Sequence, residues 1–166
     1  MADLSLLERR RLEAAVLVPV IRAMQAEFGE ERVNEVVGRI IREIAFAQGQ
    51  EAAHSADFDS MRAVSARFQG GVLREGSLIV DVVEDDERAF GFNVTRCKFM
   101  EMYEAMGARN LGFLLSCNRD FAMFEGMAPG LDFDRTQTRM EGAPHCDFRY
   151  RLRDAGAAEA GGKGTI

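Results

Sequence analysis

The chain has 166 residues, 47% of them hydrophobic and 29% charged, with 16 Gly, 3 Pro and a net charge of -6, the profile of an ordinary globular domain. A chain of this size buries about two-thirds of its unfolded surface, so a single core holds the fold without disulfide or metal staples. The acidic balance, with Lys98 and Lys163 the only lysines, argues against broad binding to nucleic acid or to an anionic membrane, which needs clustered positive charge.

From Leu4 to Phe28, Leu7, Ala14, Val18, Ile21 and Phe28 recur at helical spacing, with a stop at Gly29 and a potential bend at Pro19. Glu30 to Gln48 carries the strongest helical pattern: Val33, Val36, Val37, Ile40, Ile41 and Ile44 form one stripe, and Arg32, Glu35, Arg39, Arg42 and Glu43 the other. A third helix starts near Asp57, capped by Ser55 or Asp57, and runs to Phe68 before Gly70 and Gly71. His54 falls in the Ala/Ser-rich stretch between the second and third helices and reads as an incidental loop residue.

The pattern then changes. Ser77 to Val83 is β-rich, Glu84 to Glu87 is a charged turn, and Ala89 to Thr95 alternates Phe90, Phe92 and Val94 against Gly91, Asn93 and Thr95. This predicts a hairpin with a solvated acidic turn. Helical spacing returns at Lys98 to Met106 and again from Leu111 to Phe121. Asp132 to Met140 alternates, Glu141 to Pro144 turns, and His145 to Arg153 alternates Cys146, Phe148, Tyr150 and Leu152 against His145, Asp147 and three arginines. The sum is one α+β domain over residues 1–153, with N-terminal helices packed on an antiparallel sheet of about four strands in the order hairpin, helices, hairpin. Residues 154–166 are Ala- and Gly-rich without periodicity and read as a disordered tail.

Cys97, Cys117 and Cys146 are odd in number and widely spaced, which fits a reducing, cytoplasmic setting better than a disulfide framework. The longest apolar run, Ala14 to Ile21, is far short of the roughly 20 residues a membrane span needs. The expected partner is a small molecule, with neither nucleic acid nor membrane. The apolar helix stripes leave room for a homo-oligomer, because core and interface both demand buried apolar side chains.

HExxH, GxSxG, Walker A, GxGxxG and CxxC signatures are absent, and His54 and His145 are the only histidines. Candidate chemistry concentrates in FNVTRCKFMEMY from Phe92, LLSCNRDFAMFEG from Leu114 and RMEGAPHCDFRYR from Arg139, each with one cysteine. A lone cysteine is most often a small buried hydrophobe. Cys117 and Asp120 lie one helical turn apart, where a carboxylate can orient or deprotonate water; equally, Asp120 can cap a helix or pair with Arg119 or Arg96. A regular strand puts Cys146 with Phe148 and Tyr150 and puts His145 with Asp147 on the other face, so a Cys146–His145 pair needs an irregular strand start after Pro144. Convergence of the three thiols with Asp120 or His145 would make a zinc site, but the wide spacing matches no compact zinc signature, and no cofactor is expected. Met100, Met102, Met106, Met123 and Met127 read as core filling before an adaptable pocket. Arg149, Arg151 and Arg153 read as a solvated face, leaving Arg96 and Arg119 as the better anion anchors.

The succession FNVTRCKF, LLSCNRDFA, then a TQT strand leading to EGAPHCDFRY resembles the L-2-amino-thiazoline-4-carboxylic acid hydrolase family. The likeness spans about Phe90 to Tyr150 and rests on Cys97, on the Cys-x-x-Asp pair Cys117 and Asp120, and on Gly142 with Cys146, Asp147 and Phe148. It implies hydrolysis at the amidine-like carbon of a small cyclic carboxylate, opening a 2-aminothiazoline ring to an N-carbamoyl-cysteine, or opening a related heterocycle or lactam. In that reading Cys117 or Cys146 is the nucleophile or its neighbour, Asp120 the general base, His145 a proton shuttle, and Arg96 or Arg119 the carboxylate anchor. Asn93, Cys97, Asn118 and Asp147 complete the substrate-binding set. The alternative is a non-enzymatic sensor domain, since helices, two hairpins and a late Gly-x-x-x-Cys also resemble vinyl-reductase-type ligand-binding domains.

Overall fold

The computed structural model describes residues 4–55, 60–71 and 73–153, so the expected tail at 154–166 and the cap at Asp57 lie outside the described residues. The elements run α1 (Leu6–Phe28), α2 (Glu30–Ser55), α3 (Met61–Gly70), β1 (Leu78–Asp85), β2 (Ala89–Cys97), α4 (Lys98–Ala105), α5 (Arg109–Gly112), a π-helical turn (Phe113–Cys117), α6 (Arg119–Met127), β3 (Leu131–Asp134) and β4 (Cys146–Leu152). The sheet is antiparallel with strand order β1-β2-β4-β3. This is the α+β arrangement expected from the alternation of helical and period-two patterns.

Local chemistry sets the ends. A reciprocal capping box opens α1: the Ser5 hydroxyl accepts the Glu8 N–H at 3.2 Å and the Glu8 carboxylate accepts the Ser5 N–H at 2.9 Å. Gly29, with φ of +88°, ends the helix by donating its N–H to the Gln25 carbonyl. The helix is continuous through Pro19. α2 continues past Gln48 to Ser55 and carries His54 in its last turn, where Nδ1 lies 2.7 Å from the Gln50 carbonyl. His54 is therefore helical; the span from Gln48 to Ser55 holds no proline, and Gly49, a weak helix former, stays helical where α2 packs on α6. Ser60 caps α3 through the Ala63 N–H, later than the sequence expectation.

Two cores meet side by side. Ala14, Val18 and Ile21 of α1 join Val33 and Ile41 of α2 and Met102, Tyr103, Leu111 and Leu115 in one; Met61 and Val64 of α3, the inner sheet residues Phe90, Phe92, Val94, Leu131 and Tyr150, and Phe124 of α6 form the other. The second is largely aromatic: Phe92 stacks on Phe148 at 5.0 Å and Phe133 on Tyr150 at 4.8 Å. The helices α2 and α6 approach closely enough that a Cβ on Gly49 would overlap the Met123 carbonyl and one on Gly126 the Phe46 carbonyl. Glycine is required at both.

The second hairpin departs from expectation. Alternation stops at Asp134, and residues 135–145 form an irregular connection before β4 begins at Cys146. Asp147 causes this: its carboxylate accepts the Thr136 N–H at 3.0 Å, the Thr136 hydroxyl at 2.6 Å and the Gln137 N–H at 2.9 Å, drawing those amides away from strand pairing. The arginine stripe of β4 lies on the outer face and is paired: Arg149 donates to Asn93 Oδ1 and the Phe92 carbonyl, Arg151 to Glu84, and Arg153 to Asp132. Edge strand β1 carries two register shifts, between Ile79 and Val80 and between Val82 and Glu84, the kind of irregularity that blunts an exposed edge. Among the described residues, no helix is long and apolar enough to cross a membrane.

Candidate active site

Between the start of α1, the end of α3, the inner sheet face and the segment from the π turn into α6 lies a cavity of about 190 Å³. An apolar hole of about 150 Å³ is enough for benzene, so this one has room for a five- or six-membered ring with a substituent. Most of its wall is apolar, from Phe68, Leu78, Phe92, Val94, Phe99 and Phe148 among others, and the polar groups on it are few: Cys97, Ser116, Cys117, Arg119, Asp120, Arg135, Cys146, Arg10 and Tyr150. Thus all three cysteines, drawn from sequence segments far apart, face one space.

Their backbones explain why. Cys97 is both the last residue of β2 and the cap of α4, its Sγ accepting the Met100 N–H at 3.4 Å. Cys117 closes the π turn, in which the Asn118 N–H reaches back five residues to the Phe113 carbonyl at 2.8 Å. Cys146 opens β4 opposite Val94, and its Sγ accepts the Arg139 N–H at 3.2 Å. Burial pushes the Cys97 thiol up to about 11. Burial, reinforced by the Asp120 charge, pushes Cys117 well above the ordinary thiol range, and burial raises Cys146 against the opposing Arg139 hydrogen bond. All three are therefore protonated thiols at neutral pH.

Asp120 is the centre of the electrostatics. Its side chain keeps 38% of its surface accessible, but that surface faces the cavity it lines, and enclosure by protein raises its pKa despite the opposing charge of Arg135. Arg135, 2% exposed, donates to Asp120 through Nη1 and to the Cys117 carbonyl through Nη2 at 3.1 Å. Its guanidinium also lies against the rings of Phe121 at 5.2 Å and Phe148 at 5.3 Å. Asp147, through Thr136 and Gln137, fixes the backbone that delivers Arg135. Burial works to raise the Asp147 pKa, but the hydrogen bonds from Thr136 and Gln137 outweigh it and hold the carboxyl below its usual range. The Tyr150 phenol faces the same carboxylate, and burial together with the Asp120 charge pushes it well above 10, so it too is a proton donor.

A second polar cluster sits at the α1 end of the cavity. Arg119 donates to the Leu115 carbonyl at 3.0 Å, to Gln48 at 3.4 Å and to Glu13 at 3.3 Å. Arg10 donates to the same Glu13 through Nη1 alone, at 2.8 and 2.9 Å. Three arginines and one aspartate line the space, an arrangement suited to an anionic ligand.

The predicted site residues divide accordingly. Cys97, Cys117, Arg119, Asp120 and Cys146 come together on the cavity wall. The others stand outside it. Arg96 is exposed and paired with Glu101 at 2.7 Å. Asn93 sits on the outer sheet face under Arg149. Asn118 bridges to α2, donating to the Gly38 carbonyl at 3.0 Å. Asp147 points at the 135–137 connection, and His145 precedes β4, where its carbonyl accepts from Gln137 at 3.1 Å. Asp120 pairs with Arg135, which belongs to neither of the partnerships expected from spacing. Met123 and Met127 line the cavity, whereas Met102 fills the helical core. Among the described residues, no group of three or more His, Cys, Asp and Glu side chains is placed to hold a metal ion.

Sequence reasoning missed Arg10, Arg135 and Tyr150. Each carried a signal. Arg10 interrupts the apolar stripe of Leu7, Ala14, Val18 and Ile21, Arg135 continues the inward alternation of Leu131 and Phe133, and Tyr150 shares the face of Cys146 and Phe148.

Solved structures share the fold, among them two of known ligand. One is the phenol-responsive sensory domain of the transcription activator PoxR with phenol, at TM-score 0.52 and 12% identity over 84% of this chain and 74% of that one. The other is a trafficking protein particle complex subunit 3 from Naegleria fowleri covalently bound to palmitic acid, at TM-score 0.50 and 9% identity over 88% of this chain and 96% of that one. No curated protein sequence matches. The family model for L-2-amino-thiazoline-4-carboxylic acid hydrolase matches residues 9–150, a span that holds Arg10, the three thiols, Asp120, Arg135 and Tyr150, and the chain belongs to that family.

Proposed function

We propose that the protein is a hydrolase that opens a small cyclic amidine carboxylate of the 2-aminothiazoline type, with water as the nucleophile. The observation that carries this reading is the Asp120 carboxylate, held on Arg135 at the wall of a ring-sized apolar cavity. A carboxylate whose pKa is raised is a better base for water than an ordinary surface one. Attack of water at the ring carbon between nitrogen and sulfur places one of its protons on Asp120 and forms a tetrahedral adduct, whose hydroxyl proton passes to the ring nitrogen as the carbonyl forms. Cleavage of the carbon–sulfur bond then leaves an N-carbamoyl group and a thiolate, which takes the proton, so that one water is consumed overall. The raised pKa values of Cys97, Cys117 and Cys146 favour roles as apolar wall and proton donors over attack as thiolates. Arg10 and Arg119 supply the cation that holds the substrate carboxylate, with Nη2 and Nε of Arg10 free of hydrogen bonds within the described residues. The expected setting is the cytoplasm, with no cofactor.

The test is thiol release from 2-aminothiazoline-4-carboxylate by the wild type, Asp120→Asn and Cys146→Ser, with and without chelator. Thiol production by the wild type and its loss in Asp120→Asn support the reading. Full turnover in Asp120→Asn would remove the site from where we place it. Loss on chelation would make the cysteines metal ligands. A second reading, a binding domain without turnover, is favoured by the shared fold with a phenol-responsive sensory domain. It predicts saturable binding of a ring compound in the cavity with no product across a panel of cyclic amidines and lactams.

A further inference from the structure

α1 is apolar on both sides. Its inner face, Ala14, Val18 and Ile21, is buried in the helical core, and an exposed ridge of Leu12, Val16, Val20, Met24 and Phe28, in steps of four, winds obliquely across the other side. Val36, Ile40 and Ile44 of α2 form a second exposed row in the same steps. These eight side chains are between 37% and 65% exposed. An amphipathic helix needs one apolar stripe for its own core; α1 carries a second one, interspersed with charged residues, that no part of the described chain covers. At ~150 Å² for each fully exposed side chain, the low end of the aromatic range, the two rows uncover on the order of 600 Å². That is at the top of the ~300–600 Å² of the largest patch on a typical monomer, a size that is often functional, and approaches the about 800 Å² that each partner contributes to a standard interface.

The charges around the row are self-complementary. Arg9 and Arg11 lie at the N-terminal end of α1, and Glu27, Glu30 and Glu31 lie at its C-terminal end and the start of α2, all exposed. Arg9 and Glu27 stand nine residues to either side of Val18. A second copy laid antiparallel on the outer face at that level would set Arg9 of each chain beside Glu27 of the other, while Leu12, Val16, Val20 and Met24 interdigitate. An isologous contact of this kind closes after two copies.

We propose that the outer face of α1, extended by the Val36–Ile44 row of α2, is the interface of a two-fold homodimer. The catalytic reading does not enter this inference, since none of these residues lines the cavity. Sedimentation velocity on the full chain at micromolar concentration should give a dimer. Val16→Glu and Val20→Glu, each of which brings two carboxylates into one apolar seam, should raise the dissociation constant more than about 100-fold with the far-UV circular dichroism unchanged. Arg9→Glu should weaken the dimer, and adding Glu27→Arg should restore it. A wild-type monomer, a dimer indifferent to Val16→Glu, or Arg9→Glu not rescued by Glu27→Arg would each overturn the proposal. So would a wild type that stays monomeric but cosediments with vesicles of phosphatidylcholine and phosphatidylglycerol, which would give the face to a lipid surface.

Discussion

Replacing Arg135 by Met removes the cation from beneath Asp120 and keeps a side chain of similar length among Phe113, Phe121 and Phe148. Breaking a buried ion pair by deleting one partner costs about 3–5 kcal/mol. Asp120 keeps 38% of its side-chain surface open to the cavity, where water screens it, so a value discounted below that range, ~2–3 kcal/mol, is the expected loss at pH 7.5. For a domain of this size that corresponds to a fall in Tm of about 4–12 °C. The loss depends on pH with a definite sign. The folded-state pKa of Asp120 is already above its ordinary value and rises further without Arg135. Such a group stabilises the fold while protonated, below the unfolded pKa, and that contribution disappears as pH rises through the folded value. The deficit of Arg135→Met should therefore be small near pH 4 and grow toward neutrality. Urea unfolding of the wild type, Arg135→Met, Asp120→Asn and the double variant at both pH values gives the coupling directly. At pH 7.5 the double variant should recover most of the single-variant loss. Losses that add to within about 0.5 kcal/mol at both pH values would refute the pairing as the source of the site's stability.

Turnover of the proposed substrate should fall on the acid side with an apparent pKa above the 3.8 of an ordinary aspartate, and Asp120→Asn should lower kcat by 10²-fold or more, about the worth of a positioned base. With its pKa at about 11, Cys97 in the native protein should react with a disulfide reagent at pH 8 some ~100-fold more slowly than free cysteine, whose pKa is about 8.5, with full reactivity returning in urea. Asp147→Ala should cost ~1–3 kcal/mol by stripping a charged acceptor from Thr136 and Gln137. Because that pKa is held below the usual range, the wild-type advantage over Asp147→Ala is present above pH about 4 and lost as pH falls through the lowered value, as a urea series across pH would record. Gly126→Ala should destabilise the protein by several kcal/mol, because its methyl meets the rigid Phe46 carbonyl; a loss under 1 kcal/mol by urea unfolding would mean α2 and α6 part easily.

The helices and the first hairpin are legible in the sequence because each is a local pattern: a stripe of period 3.6 in Val33 to Ile44, a period of two in Phe90 to Val94. The convergence of three thiols is less so, since it depends on β2 and β4 pairing and on the π turn meeting both. The partner of Asp120 was visible only in part. Alternation aims Arg135 inward, yet the neighbours it finds there are fixed by the irregular 135–145 connection, and that in turn by Asp147 competing for strand amides. The Arg119–Glu13 contact joins residues 106 apart in the chain, a distance at which charge patterning in the sequence carries no signal. Arg96 misled because it adjoins Cys97 in sequence, yet it points outward to Glu101, and the alternation of β2 already sets Asn93 on the face opposite Phe92 and Val94.

The π turn at Phe113–Cys117 amounts to one extra residue wound into a helix that would otherwise run on from α5 to α6. Removing it would be the smallest possible change to the chain length, yet each residue turns a helix by about 100°, so everything beyond the deletion would swing a quarter turn or more. Either Cys117 or both Arg119 and Asp120 would then leave the cavity wall. That single residue therefore sets the rotational phase between α5 and α6, and with it which side chains of the segment reach the cavity. A one-residue deletion within 113–117 that kept the fold would leave the same space without its acid, an apolar pocket made by shortening the chain and not by substituting any residue of the wall.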